Sequence, residues 1–143
     1  MAATIGVQIA AIFVWLGMVV AISFLEAPLK FRAPGITVTL GVGIGRLVFR
    51  ALNGAEGALW LVVVAAMLIR APDVSGAETA VVAALGVVLG LGALLVRPLM
   101  DRKVRTEGPE SRAPRTLLHV GYIVLELVKV VLLIVLGTLL LAR

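Results

Sequence analysis

His119, Tyr122, Glu126 and Lys129 follow one another at intervals of three, four and three residues inside the aliphatic run from Thr116 to Leu141. At about 100° per residue they fall within an arc of roughly 80°, so a helix presents them as one polar stripe. Ionisable groups at membrane depth are costly and face a bundle interior, a partner or a water-filled cavity. Glu126 is therefore a group that could carry a proton, with Lys129 able to pair with it at i,i+3. His119 could ligate haem or a metal, but it is the single histidine of the chain and opens the helix near its end. A histidine so placed also serves as a hydrogen-bonding residue at the membrane interface.

Two more stripes face the same question. In a first helix over Ile5 to Leu25, Gln8, Trp15, Ser23 and Glu26 share a face. In a second helix, Arg46, Arg50, Asn53, Glu56 and Trp60 lie within roughly 120° of arc. Arg46 and Arg50 can snorkel to headgroups, whereas Asn53 and Glu56 lie deeper and need partners. No i,i+4 cation neutralises Glu56, so its partner is expected from another helix, with Lys129 the candidate. A third helix offers small residues instead: Thr79, Ala83, Gly86, Gly90 and Ala93 share one face that ends at Arg97. Gly86 and Gly90 have the G-x-x-x-G spacing that permits close helix approach, either inside a bundle or as a homodimer seam.

These helices are expected to be membrane spans. The chain has 143 residues, 62% of them hydrophobic, and a mean hydropathy of +1.16, outside the range of soluble domains. At about 20 apolar residues per crossing there is room for four helices and no sizeable soluble domain. The fold class is thus all-α, a single four-helix transmembrane bundle over 1–143. The net charge of +5 sits beside hydrophobic ends, where it sets orientation and meets anionic lipid rather than nucleic acid. With no cysteine and one histidine, disulfides, thiolate chemistry, iron–sulfur clusters and a multi-histidine metal site are excluded. The N-terminus has no basic n-region, and its apolar run is longer than a signal h-region, so it reads as an uncleaved first helix.

Ala27-Pro28 is expected to end the first helix. Gly35 to Gly45 reads as an interfacial lead-in with Gly41, Gly43 and Gly45 as its flexible points, because a single helix over Ile36 to Ile69 would be about 50 Å long. The glycine run lacks the spacing and the Gly-Lys-Ser/Thr ending of a phosphate loop. The second helix is expected over Arg46 to Ile69, an outer hairpin over Arg70 to Ala77, and the third helix over Glu78 to Val96. Arg97-Pro98 should close that helix, leaving an irregular loop to Arg115. Ten of the thirteen Lys and Arg residues then lie on one side, which places both termini outside the cytoplasm in a plasma (inner) membrane.

With polar faces inward, Glu26, Arg46, Arg50 and His119 would gather near the cytoplasmic side, and Asn53, Glu56, Tyr122, Glu126 and Lys129 deeper. Such a network could simply fix helix register. It could also line a path or pocket for a proton, ion or small solute, with Glu56 and Glu126 as the carriers. No internal inverted repeat is evident and four helices are few for alternating access, so a transporter would call for a homo-oligomer. No catalytic motif stands out, no cofactor is expected, and haem on His119 is the alternative that residue leaves open. A non-catalytic subunit of a larger membrane complex fits the small size equally well.

Trp15-Leu16-Gly17, Ala27-Pro28-Leu29 with Phe31, Gly45-Arg46-Leu47-Val48-Phe49, Arg97-Pro98 and Leu118-His119 together resemble the four-helix family named after human transmembrane protein 205 and its bacterial relatives of unknown function. The resemblance spans nearly the whole chain and implies four helices and a membrane location, with no reaction to carry over. A fainter likeness to CopD-like copper-resistance and HemJ-like haem proteins lacks the histidines either activity would need.

Overall fold

The computed structural model describes residues 2–107 and 117–143, without the side chains of 103–107, Leu118 and His119. The Lys103, Arg105 and His119 side chains, and Gly108, Pro109, Arg112, Pro114 and Arg115 entirely, therefore lie outside what the structure describes. Among the described residues four helices are long and apolar enough to cross a membrane: α1 (Ala2–Arg32), α2 (Val38–Ile69), α3 (Gly76–Arg102) and α4 (Leu117–Leu141). Among the described residues all regular structure is helical.

Local signals set the starts of α2 and α3. Thr37 Oγ1 accepts the Leu40 amide at 3.1 Å and Ser75 Oγ accepts the Glu78 amide at 3.2 Å, each satisfying an otherwise orphaned donor of a first turn. The turn before α2 runs through Ala33-Pro34-Gly35-Ile36, closed by the Ile36 amide on the Ala33 carbonyl at 3.2 Å. Gly35 stands at φ +77° there, the left-handed conformation that a type II turn requires of its third residue.

Three expected boundaries differ. The lead-in over Gly35 to Gly45 is instead the beginning of α2, which is unbroken for 32 residues. Gly41 and Gly45 give clearance: a Cβ on Gly41 would strike the Phe31 ring, and one on Gly45 would meet Lys30 Nζ at 2.7 Å. The end of α1 folds over that glycine face. Pro28 does not end α1, and Pro98 does not end α3, whose helical path continues to Glu107. Each proline follows a wide π-helical stretch, Val20–Glu26 in α1 and Leu91–Val96 in α3. The Ala27 amide bonds the Ile22 carbonyl and the Arg97 amide bonds the Gly92 carbonyl, both five residues back. The widened turn moves the carbonyl that a proline ring would otherwise strike, so the chain passes the proline without breaking.

The helices form a closed ring in which each touches its sequence neighbours and α4 returns to α1. α1 therefore stands diagonally across from α3, and α2 across from α4. The two hairpins α1–α2 and α3–α4 repeat one burial pattern at a spacing of 70 residues, the separation of Gln8 and Glu78. Ile12 and Val82, Leu52 and Tyr122, Glu56 and Glu126, Val63 and Leu133, and Ala66 and Leu136 are buried in register. Trp15, Ile12, Val63, Leu85, Leu133 and Leu136 are completely buried and fill the centre. Leu47, Leu68 and Leu94, at 68%, 71% and 80% exposure, point outward as lipid-facing side chains do. Since lipid is as apolar as leucine, packing and interhelical polar contacts, rather than the hydrophobic effect, must hold the ring together.

Candidate functional site

Lys129 stands at the middle of the bundle between two carboxylates. Its Nζ is 2.6 Å from Glu56 Oε1 and 2.8 Å from Glu126 Oε1, and all three side chains are at least 97% buried. Helix α1 supplies two further donors: Trp15 Nε1 to Glu56 Oε1 at 2.9 Å, and Ser23 Oγ to Glu126 Oε2 at 2.9 Å. With its amide assigned to suit both neighbours, Asn53 donates to Glu56 Oε2 at 3.1 Å and accepts from Arg97 Nε at 3.2 Å. All four helices thus meet in one network of two carboxylates and two cations. Buried charges persist only when paired and hydrogen-bonded, and both conditions are met here.

Of this network, Ser23, Arg97 and Glu126 line a cavity of about 590 Å³. Lys30, Phe31, Gly41, Met100 and Asp101 line it toward the basic end of the bundle, and Ser23, Tyr122 and Glu126 line it at depth. Arg97 lies on its wall with its guanidinium carbon 4.6 Å from the Phe49 ring centre and 5.3 Å from that of Tyr122. Those two rings meet edge to face at 5.7 Å. The Tyr122 hydroxyl is buried and, among the described residues, makes no hydrogen bond. Arg46 pairs with Asp101 at 2.9 Å, and Lys30 pairs with Glu26 at 3.4 Å.

A second polar cluster lies at the terminal end. Arg70 donates to Gln8 Oε1 at 2.7 Å and also bonds Glu78 Oε1, which Gln8 Nε2 reaches at 3.0 Å. Arg143 approaches Glu78 Oε2 at 3.4 Å. Gln8, Arg70 and Glu78 are 0%, 3% and 1% exposed. Between the clusters lies a layer of aliphatic side chains, including Ile12, Val63, Val82 and Leu136, that spans about 10 Å along α1 from Gln8 to Trp15. This layer separates the cavity at the basic end from the terminal cluster.

The structure brings together Asn53, Glu56, Glu126 and Lys129, and sets Tyr122 against Arg97. It does not bring Glu26 or Arg46 into that network, because Lys30 and Asp101 take them, and Arg50 is on an exposed face. Trp60 turns away as well and donates to the Val82 carbonyl at 3.0 Å. The small-residue face of α3 also departs from the expected contact. Gly86 accepts the Trp60 indole, 2.8 Å from where a Cβ would be, while Gly90 faces open space and Ala83 is exposed. Ala93 is half-buried beside the fully covered Gly92. The buried face of α3 is instead Glu78, Val82, Leu85 and Gly92.

Arg70, Glu78 and Arg97 are the residues that the sequence reading left outside its network, since each stands at a hairpin or beside a proline. The signal that could have found Glu78 is its position 70 residues after Gln8. Compared with family models, curated proteins and solved structures, the chain finds no match.

Proposed function

We propose that the chain is a small membrane module that admits a proton or small polar solute from the basic end and handles it at the Glu126–Lys129–Glu56 network. The observation that carries this reading is Glu126, which shares the cavity wall with Ser23 and Tyr122 and is also bonded to the deep ammonium. A proton arriving through the cavity meets Glu126 before Glu56. Its uptake at Glu126 would remove one of the two negative charges held by Lys129 and leave Glu56 as the sole carboxylate partner. The positive-inside distribution of the basic residues favours a plasma-membrane orientation with the cavity facing the cytoplasm and both termini outside.

The test is proton movement into liposomes carrying the purified protein, with a trapped pH-sensitive dye and an imposed gradient. Crossing requires the aliphatic layer of Ile12, Val63, Val82 and Leu136 to open; wild type is expected to dissipate the gradient and Glu126→Gln to slow it to the rate of empty vesicles. Equal rates for wild type and Glu126→Gln, both folded, would reject proton handling.

A further inference from the structure

The cavity at the basic end is built unlike a passage for a bare proton. Its walls are mainly apolar, with Phe24, Phe31 and Phe49 among them, and its volume of about 590 Å³ falls in the range of small-molecule sites, about 300–1,000 Å³. The polar groups at its depth are unevenly charged. Glu126 is committed to Lys129 and Ser23, whereas among the described residues no carboxylate forms an ion pair with Arg97. Arg97 is held in place rather than left free: two aromatic rings flank its guanidinium, and the Asn53 oxygen takes its Nε proton. Tyr122, 6% exposed, contributes a hydroxyl beside Arg97 and Glu126 that makes no hydrogen bond among the described residues. A buried donor without an acceptor is costly, and a fixed guanidinium is suited to the paired oxygens of a carboxylate or phosphate.

The geometry points to this cavity as a binding site for an amphiphilic anion, a single carboxylate or phosphate group with an apolar body. The anionic group is received by Arg97 and the Tyr122 hydroxyl, and the apolar body lies among Phe24, Phe31 and Phe49. The inference rests on the proposed entry of solutes at the basic end and names the class that enters. Gly41 is part of the site, because the Phe31 ring occupies the place of its missing side chain. A soluble organic acid and the head of an anionic lipid share this chemistry.

Octanoate is the probe, with octanamide as its uncharged counterpart of the same length, titrated against the full chain in phosphatidylcholine nanodiscs. Octanoate should saturate the protein at concentrations at least tenfold below octanamide. Arg97→Gln should raise the half-saturating octanoate concentration about tenfold or more, and Tyr122→Phe about threefold, the usual worth of a charged and a neutral hydrogen bond. Tyr122→Phe removes a hydroxyl that makes no hydrogen bond among the described residues, so the folded bundle persists in that variant even where Arg97→Gln weakens it. Native mass spectrometry of the protein as extracted separates the two sources. An anionic phospholipid that octanoate displaces makes the ligand a lipid, and a lipid-free protein that binds octanoate makes it a free acid. Equal affinity for octanoate and octanamide, or unchanged octanoate binding in both variants, would overturn the site. Loss of that selectivity with Glu126-dependent proton flux intact removes only the anion, whereas octanoate binding without flux removes only the proton role.

Discussion

Glu56 and Glu126 stand at the same position of two successive hairpins and share one ammonium, Lys129 Nζ, at 2.6 and 2.8 Å. The terminal end repeats the relationship. Gln8 and Glu78, 70 residues apart, share the guanidinium of Arg70. In both clusters, residues 70 apart in the two hairpins meet across the bundle. In each case the bridging cation comes from one hairpin alone.

Lys129→Met tests how much the shared ammonium stabilises the bundle. Two buried carboxylates would then face each other with only Trp15, Ser23 and Asn53 as donors. Breaking a buried pair in this way costs about 3–5 kcal/mol, because the stranded charge remains. Unfolding in mixed micelles by increasing dodecyl sulfate should show that loss, and adding Glu56→Gln should restore part of it. A loss below about 1 kcal/mol, the worth of an exposed ion pair, would mean that the ammonium is hydrated.

Gly86 and Gly90 should respond differently to the same change. A Cβ at Gly86 meets the Trp60 indole at 2.8 Å, and one at Gly90 meets nothing within 4 Å. Gly86→Leu is expected to destabilise by about 1–3 kcal/mol, the usual cost of overpacking, and to displace Trp60 from its bond with the Val82 carbonyl. Tryptophan fluorescence reports that displacement directly. Gly90→Leu should leave both the emission and the midpoint of unfolding unchanged. Equal losses at the two positions would show that a second surface covers Gly90, as a homodimer seam would.

The four spans were legible because each needs only a sustained apolar run, and the deep stripe of Tyr122, Glu126 and Lys129 because helical spacing puts those residues on one face. The pairing expected of Glu56 with Lys129 followed from the lack of a local cation for Glu56. What escaped the sequence depends on neighbours. Ala27-Pro28 and Arg97-Pro98 carry the ordinary mark of a helix end, and only the π-helical turn before each lets the helix continue. Gly41 and Gly45 look like hinges until Phe31 and Lys30 lie against them. Arg70 and Glu78 flank a hairpin, where charged residues normally face water, and the fold turns them inward upon Gln8. The hairpin repeat preserves burial at a fixed spacing while changing most side chains, so a search by identity passes over it.

The absence of cysteine makes the orientation directly testable. Ala33 lies in the turn between α1 and α2, and Ala77 opens α3 at the terminal end; both are exposed. In intact cells a membrane-impermeant maleimide should label Ala77→Cys, and should label Ala33→Cys only after permeabilisation. The reverse pattern would place the cavity on the outer side and invert the direction from which a solute enters.

Arg70 and Glu78 provide the sharper test of the terminal cluster. Arg70→Met leaves the Gln8 carbonyl oxygen without its donor and leaves Glu78 with Gln8 and with Arg143 at 3.4 Å. Glu78→Gln removes the charge but keeps a group able to bond Gln8. If the pair is as dry as its 2% and 1% side-chain exposure indicates, the double variant should be more stable than the sum of the single losses allows, with a coupling of about 1–3 kcal/mol. That coupling should change little between low and high salt, since mobile ions screen buried pairs weakly. Losses that add within about 0.5 kcal/mol, or a coupling that vanishes in high salt, would mean that water reaches Arg70. The aliphatic layer beneath it would then be the only barrier between the terminal end and the Glu56 network.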